Sequence, residues 1–448
     1  MPHSYTGYAG GSTNAYTTQF ALHKQLDRMV SRRSLFSHMM EGSSGRPKKV
    51  KMIEYGGQDV DVLNSNIVQS KPHLNNKDEC RFTLIKDLYG EPTFNDEEPR
   101  SGGYLSFLHD GVYLNEFHSP EYDYLGEMDT HRLENSVPNL KAHYKEAIAD
   151  YAAEWLDISG LEALLFGADR GNLLTSDGGR GMQLMNATAA GETLSCKNTY
   201  VAGHGWVAWN DTRATFEANI GTEIYDLIDD SDYGWSLNLH HAVTRTLASS
   251  KKFKKAELYG KQINGIVLTD PWIVARIQER TSGNDYYNMF KDAGKRGKDN
   301  PVINSSKAIV LDGWVYVSCE WLRAYRAYGN DGVKPTYGAG ITNDPRTWID
   351  TYGDTYKKCA MIFLGARALL NASSEKVYTE KLSQQNAGRI YFTTRKPVHT
   401  GGGGIVAHMK QGMKRYEPEA KDGTTEYQNY STAVIWTYDP GPGVSFAA

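Results

Sequence analysis

The chain has 448 residues, 40% of them hydrophobic, with 44 glycines and a mean hydropathy of -0.55: material for a sizeable core, about three domains by length, with abundant polar surface and loop. Its formal charge is -4, from 49 basic and 53 acidic residues well mixed along the sequence, which excludes a global electrostatic case for nucleic acid or membrane binding. No run of about 18 apolar residues occurs, and residues 1–11 lack the basic-then-apolar order of a signal peptide, so a cytoplasmic protein is expected.

In chain order, residues 1–53 open with a Gly/Ser/Thr/Tyr stretch, pass through a short amphipathic segment at 20–36 and end in a basic run at 46–51. Between residues 24 and 51 stand eight Lys/Arg and two acids, a charge that suits an arm meeting nucleic acid or a neighbour's acidic surface, and equally a solvated terminus. Residues 54–135 alternate strand-like pieces, such as Arg81-Phe82-Thr83-Leu84-Ile85, with the breakers Gly90-Glu91-Pro92 and Ser101-Gly102-Gly103. An acidic, aromatic stretch at 116–127 comes next. So long a connection with little core of its own predicts a projecting hairpin.

The strongest local signal is a helix over 136–157. Ser136 is a good N-cap, Pro138 sits in the first turn, and Gly160 stands where a left-handed residue ends a helix. Leu140, Tyr144, Ile148, Tyr151 and Trp155 recur at three- and four-residue steps, opposite Lys141, Lys145, Glu146, Asp150 and Glu154. Such a helix would span about 33 Å, the width of a small domain.

Beyond it, a glycine-broken stretch at 167–181 leads to a helix near 236–249 and a buried-looking strand at 263–268. That strand runs into Thr269-Asp270-Pro271-Trp272 and a helix through 278, with Pro271 at the first helical position. A basic loop at 295–299 precedes a strand pair, 308–311 and 314–317, joined by the hairpin signal Asp312-Gly313. Residues 215–345 therefore read as one α/β domain. An apolar segment at 359–370 and strands at 389–394 and 431–438 are expected to return to the long helix.

Tyrosine is over-used, 29 against 13 phenylalanines and nine tryptophans, as at protein interfaces, although β-rich or carbohydrate-facing surfaces share that bias. Cys80, Cys196, Cys319 and Cys359 are widely spaced, without a CxxC, and read as reduced buried thiols. Signatures of catalysis are missing: no GxxxxGK[ST], HExxH, GxSxG or EF-hand loop occurs, and Gly401 to Gly404 lead into Ile405 without a lysine-hydroxyl pair. His240 and His241 are adjacent and so point about 100° apart on a helix, poor for shared metal ligation, which favours a core or surface role. Asp129 and His131, with His118 and His109, lack the spacing of a zinc site. Acidic pairs such as Asp229-Asp230 and Glu97-Glu98 are too common to mark a glycosidase. No catalytic, cofactor-binding or metal residues are assigned, and no cofactor.

The order of these parts has a counterpart. Lys77-Asp78-Glu79-Cys80-Arg81-Phe82-Thr83-Leu84 leading to Leu88-Tyr89-Gly90, the turn Gly265-Ile266-Val267-Leu268-Thr269-Asp270-Pro271-Trp272, the pair around Asp312-Gly313, and Phe363-Leu364-Gly365-Ala366-Arg367-Ala368-Leu369 surround one long helix. In that order and spacing the sequence resembles, over most of 55–440, the major capsid proteins of tailed bacteriophages with the Hong Kong 97-type fold.

The resemblance implies an α+β, non-enzymatic capsid fold: residues 1–77 as N-terminal arm and lead-in, 78–130 as an extended loop over a neighbouring subunit, 131–214 as a peripheral domain with the spine helix, 215–345 as an axial domain, and 346–448 as the return to the peripheral domain. It implies self-assembly into homo-pentamers and homo-hexamers of an icosahedral virion head, built in the host cytoplasm around double-stranded DNA that it contacts weakly and without sequence readout. A separate scaffolding protein is expected, since only about 50 residues precede the first family-like strand. A portal and a decoration protein are further expected partners, and a membrane is not. The lysine, asparagine and glutamate of the cross-linking branch of the group have no match here. A carbohydrate-active or carbohydrate-binding protein, and another virion component, are the alternative readings.

Overall fold

A computed structural model of the protein describes residues 28–40, 51–55, 58–73, 79–85, 107–119, 122–123, 140–166, 199–201, 205–206, 234–249, 253–258, 261–280, 309–325, 346, 358–374, 376–379, 382–386, 390–395, 404–416, 419–420 and 431–438. The helix start at Ser136 and Pro138, the stretch at 167–181 and the basic loop at 295–299 lie outside these residues. Helices α1 (Leu35–Met40), α2 (Leu140–Phe166), α3 (Leu237–Ser249) and α4 (Pro271–Arg280) pack against the sheets of the described residues.

The long helix α2 runs further than the sequence predicts, through Gly160 to Phe166. Gly160 is not a stop. A Cβ there would stand 2.8–2.9 Å from three ring atoms of Phe36, so glycine lets that fully buried ring of α1 rest against the helix. Residues 158–165 are all buried, and this part of the helix is enclosed on every side. The predicted stripe holds only earlier: Ile148 is buried, Tyr151 and Trp155 half-buried.

Helix α1 and Val30 just before it pack into the core. Val30, Phe36, Met39 and Met40 are buried in the same cluster as Ile148, Leu156 and Leu164 of α2. Two carboxylate oxygens of Asp157 cap α1 from the side of α2, accepting hydrogen bonds from Ser34 Oγ at 2.7 Å and from the Leu35 and Phe36 N–H groups at 3.1 Å each. Burial pushes the Asp157 carboxyl up to about 6, although those three bonds favour its ionised form.

A seven-stranded sheet lies in the order Ile309–Leu311, Trp314–Ser318, Gly265–Thr269, Lys358–Leu364, Thr432–Tyr438, Thr199–Val201, Gly205–Trp206. Gly265–Thr269 pairs parallel with Trp314–Ser318, the crossover passing through α4, while Lys358–Leu364 pairs antiparallel with both of its neighbours. Side chains alternate strictly between the faces. Ile266, Leu268, Ile362 and Val434 join the cluster containing α2, whereas Val267, Met361, Phe363 and Ile435 pack with Val243 of α3 and Ile273 of α4. Both faces are therefore covered, which is why these strands are apolar throughout.

A second sheet has the order Ile390–Arg395, Gly404–Arg415, Leu369–Ser374, Val68–His73, and Asn115–His118 and Tyr122–Asp123 also pair with its long strand. Ala407, Met409 and Met413 of that strand face the α2 cluster. Helix α2 is thus a beam between two sheets.

The described C-terminal strands lie in more than one sheet. The apolar segment at 359–370 is two strands in two sheets, parted by a turn in which Arg367 takes φ +64°. Ile390–Arg395 belongs to the sheet beside α2, but Thr432–Tyr438 belongs to the seven-stranded sheet and reaches the α2 cluster only through Val434 and Trp436. Of the other described strands in 346–448, Lys376–Thr379 and Leu382–Asn386 pair with each other, and Glu419–Ala420 pairs with Phe107–Tyr113.

Candidate functional site

The hairpin predicted within 54–135 exists at its base. Glu79–Ile85 and Phe107–Tyr113 pair antiparallel from Glu79 opposite Tyr113 to Ile85 opposite Phe107, and residues 86–106, outside the described set, connect their far ends. Its root has its own small apolar cluster, in which Cys80, Phe82, Val112 and Leu114 of the stem meet Leu370 and Ala372 of the sheet beneath.

Two buried carboxylates pin this root. Asp61 Oδ2 accepts from the Thr83 N–H and from Lys71 Nζ, both at 2.8 Å, and Lys71 Nζ also donates to the Arg81 carbonyl at 2.8 Å. Asp110 Oδ1 pairs with Lys414 Nζ at 2.6 Å, and the side chains of both aspartates are 1% exposed. Charges so enclosed persist only as pairs, so each lysine is needed where it stands. Asp110 falls on the inward side because Cys80 opposes Val112 and Phe82 opposes Asp110, an alternation visible in Asp110, Val112 and Leu114. Its partner, on a strand three hundred positions later, leaves no local signal.

The thiols are chemically quiet. Cys80, Cys319 and Cys359 are free and buried, and burial pushes Cys80 up to about 11 and Cys319 up to about 12, far from a reactive thiolate. Cys196 lies outside the described residues.

The histidines regroup. His109 and His118 belong to different sheets: His109 stands opposite Thr83 and Glu419, while His118 stands opposite His408 with the two Nδ1 atoms 2.7 Å apart. Asp129 and His131 lie outside the described residues. Beside His118 a small pocket of about 100 Å³ opens between α2 and the long strand, walled by Phe117, Tyr151, Trp155 and Met409. Arg346 stacks over Tyr151 at 4.8 Å and reaches Trp155 at 5.9 Å.

His240 and His241 of α3 face the Asp312-Gly313 turn. Asp312 (φ +49°) and Gly313 (φ +81°) are both left-handed, the two-residue turn that their sequence predicts. The turn is clamped by Asn264, whose Nδ2 donates to the Asp312 carbonyl at 2.7 Å and whose N–H donates to the Gly313 carbonyl at 3.0 Å. His240 Nδ1 shares a 2.6 Å hydrogen bond with the hydroxyl of buried Tyr316. Burial lowers the His240 imidazole to about 4, outweighing the Asp312 carboxylate, so it is neutral at physiological pH.

No protein-family model and no curated protein matches the sequence. Solved structures do. The capsid of Ralstonia phage GP4 is similar over 85% of this chain and 89% of that one, with a TM-score of 0.50 at 14% identity. The capsid of cyanophage Pam1 is similar over 90% of this chain and 98% of that one, with a TM-score of 0.49 at 11% identity. The head structure of Helicobacter pylori bacteriophage KHP40 is similar over 84% and 88%, with a TM-score of 0.44 at 13% identity. The protein thus has the mixed helix-and-sheet, Hong Kong 97-type fold of phage capsid proteins, and the resemblance read from its sequence is borne out at the level of fold.

Proposed function

We propose that the chain is the structural major capsid protein of a tailed-phage head, and that its activity is assembly rather than a reaction. The observation that carries this reading is the fold it shares, over 85% of its length, with the capsid of Ralstonia phage GP4. Copies associate head to tail about an axis, a heterologous contact that closes into rings of five and six. In this reading the seven-stranded sheet with α3 and α4 is the axial unit, and α2 with the sheet beneath it is the peripheral unit. The stem of Glu79–Ile85 and Phe107–Tyr113 roots an extended loop that overlies a neighbour, and the two buried ion pairs transmit load from that loop to the body.

Further elements of the reading concern what the shell meets. It encloses double-stranded DNA, with the basic residues 24–51 as the candidate contact and the net charge of -4 keeping that contact weak. Scaffolding, portal and decoration proteins are the expected partners, and assembly precedes residence in the virion. Intersubunit burial above roughly 2,000 Å² per subunit is expected of so obligate an association.

Because Ile85 and Phe107 are direct cross-strand partners, a two-residue Asn-Gly turn can replace residues 86–106 without disturbing the stem. The reading predicts a folded, soluble subunit that does not form closed shells. Normal shells from this variant would show that the loop is not the intersubunit clasp.

A further inference from the structure

We infer that His240, His241 and Asp312 form a binding site for a borderline divalent transition ion of the zinc class, tying the edge hairpin of the seven-stranded sheet to α3. The objection that adjacent helical histidines diverge holds only while they are considered alone. Here a carboxylate from another element stands between them. Asp312 Oδ2 lies 3.5 Å from His240 Nε2 and 3.6 Å from His241 Nδ1, and the donor atoms all fall within 4.8 Å of one another.

Those separations fit coordination better than hydrogen bonding. Zinc holds nitrogen and oxygen at about 2.0–2.1 Å, which in a tetrahedron sets ligand atoms about 3.3–3.4 Å apart. The two short edges are near that value, and a shift that brings the two imidazole nitrogens together completes the third. As direct hydrogen bonds the same contacts are too long. His240 Nε2 is moreover buried without any hydrogen-bond partner, on a residue only 1% exposed, and it is aimed at the carboxylate. In the tautomer whose Nδ1–H donates to Tyr316, the Nε2 lone pair is enclosed beside the carboxylate, an arrangement that a cation between them relieves.

The surroundings suit the ion. With Nε2 as ligand, Nδ1–H of His240 donates to Tyr316 Oη, the kind of supporting bond that fixes tautomer and ring orientation at metal sites. Asn264 holds the Asp312 turn from behind. Two imidazoles and one carboxylate select zinc, cobalt or nickel over calcium or magnesium, which take oxygen. His241 and Asp312 have side chains 40% and 56% exposed, leaving an entry path and a water at the fourth position.

The test uses the full, untagged chain, stripped with chelator and titrated with Co²⁺. The expected result is one saturable site per chain with tetrahedral visible absorption, displaced by Zn²⁺, and a metal-dependent rise in melting temperature. Asp312→Asn and His241→Ala change partly exposed side chains, so both should melt like the metal-free wild type while binding Co²⁺ about tenfold or more weakly; Tyr316→Phe should weaken binding about 10–100-fold. Absence of a saturable Co²⁺ site in the wild type, or unchanged affinity in either ligand variant, overturns the proposal.

Discussion

Gly160→Ala offers a test with a change of sign. In an exposed helix interior alanine is about 1 kcal/mol better than glycine. At Gly160 the new methyl would meet Cγ, Cδ1 and Cδ2 of Phe36 at 2.8–2.9 Å, against the roughly 3.5–4.0 Å of ordinary carbon contact. Neither side yields easily, since the ring is fully buried and the helix is enclosed. Overpacking of this kind costs about 1–3 kcal/mol, so the net effect is a loss of about 1 kcal/mol. Phe36→Ala itself costs about 3–5 kcal/mol but removes the obstruction. In that background Gly160→Ala should stabilise by up to about 1 kcal/mol, a coupling of about 2 kcal/mol. Urea unfolding of the four unassembled subunits measures it. The reasoning fails if Gly160→Ala stabilises the wild type, or if it destabilises both backgrounds equally, as a left-handed stop glycine would.

The buried charges have consequences of their own. Lys414→Met leaves the Asp110 carboxylate, 1% exposed, enclosed without its lysine and should loosen the stem by about 3–5 kcal/mol, read as faster amide exchange in Glu79–Ile85 and Phe107–Tyr113; unchanged exchange there would show that the pair does not pin the stem. Arg33→Ala breaks a half-exposed pair with Asp150 and an exposed hydrogen bond to the Glu146 carbonyl, and should cost less than about 1 kcal/mol in the same urea assay, a larger loss contradicting the surface assignment. Asp157 has a folded-state pKa of about 6 against 3.8 in the open chain, so the folded protein keeps a proton that the unfolded chain releases. Its contribution is therefore full below about pH 4 and lost as pH rises through about 6. Relative to Asp157→Asn, the wild type should lose about 2 kcal/mol between those limits and about 3 kcal/mol in all by pH 7, and a pH-independent difference would refute the burial argument.

What the sequence disclosed was what neighbouring residues decide among themselves. Pro271 starts α4 because its missing N–H and fixed φ suit a first helical turn, with Asp270 Oδ1 accepting from the Trp272 N–H at 2.9 Å. Asp312-Gly313 turns because both residues tolerate positive φ. The misreadings share an opposite cause. Gly160 reads as a stop because its reason, the Phe36 ring, comes from a distant part of the chain. The segment at 359–370 reads as continuous because two strands buried on both faces are equally apolar, and nothing local announces a change of sheet. Asp110 can be placed inward by alternation, but Lys414 cannot be named as its partner. The histidine pair gives no sign of Asp312, which only the packing of α3 against the hairpin brings near.

The central claim is self-assembly, and electron microscopy of the purified chain, expressed alone and together with a candidate scaffolding protein, tests it most directly. The account predicts closed shells built of five- and six-membered rings. A chain that stays strictly monomeric at micromolar concentration in both preparations would contradict it.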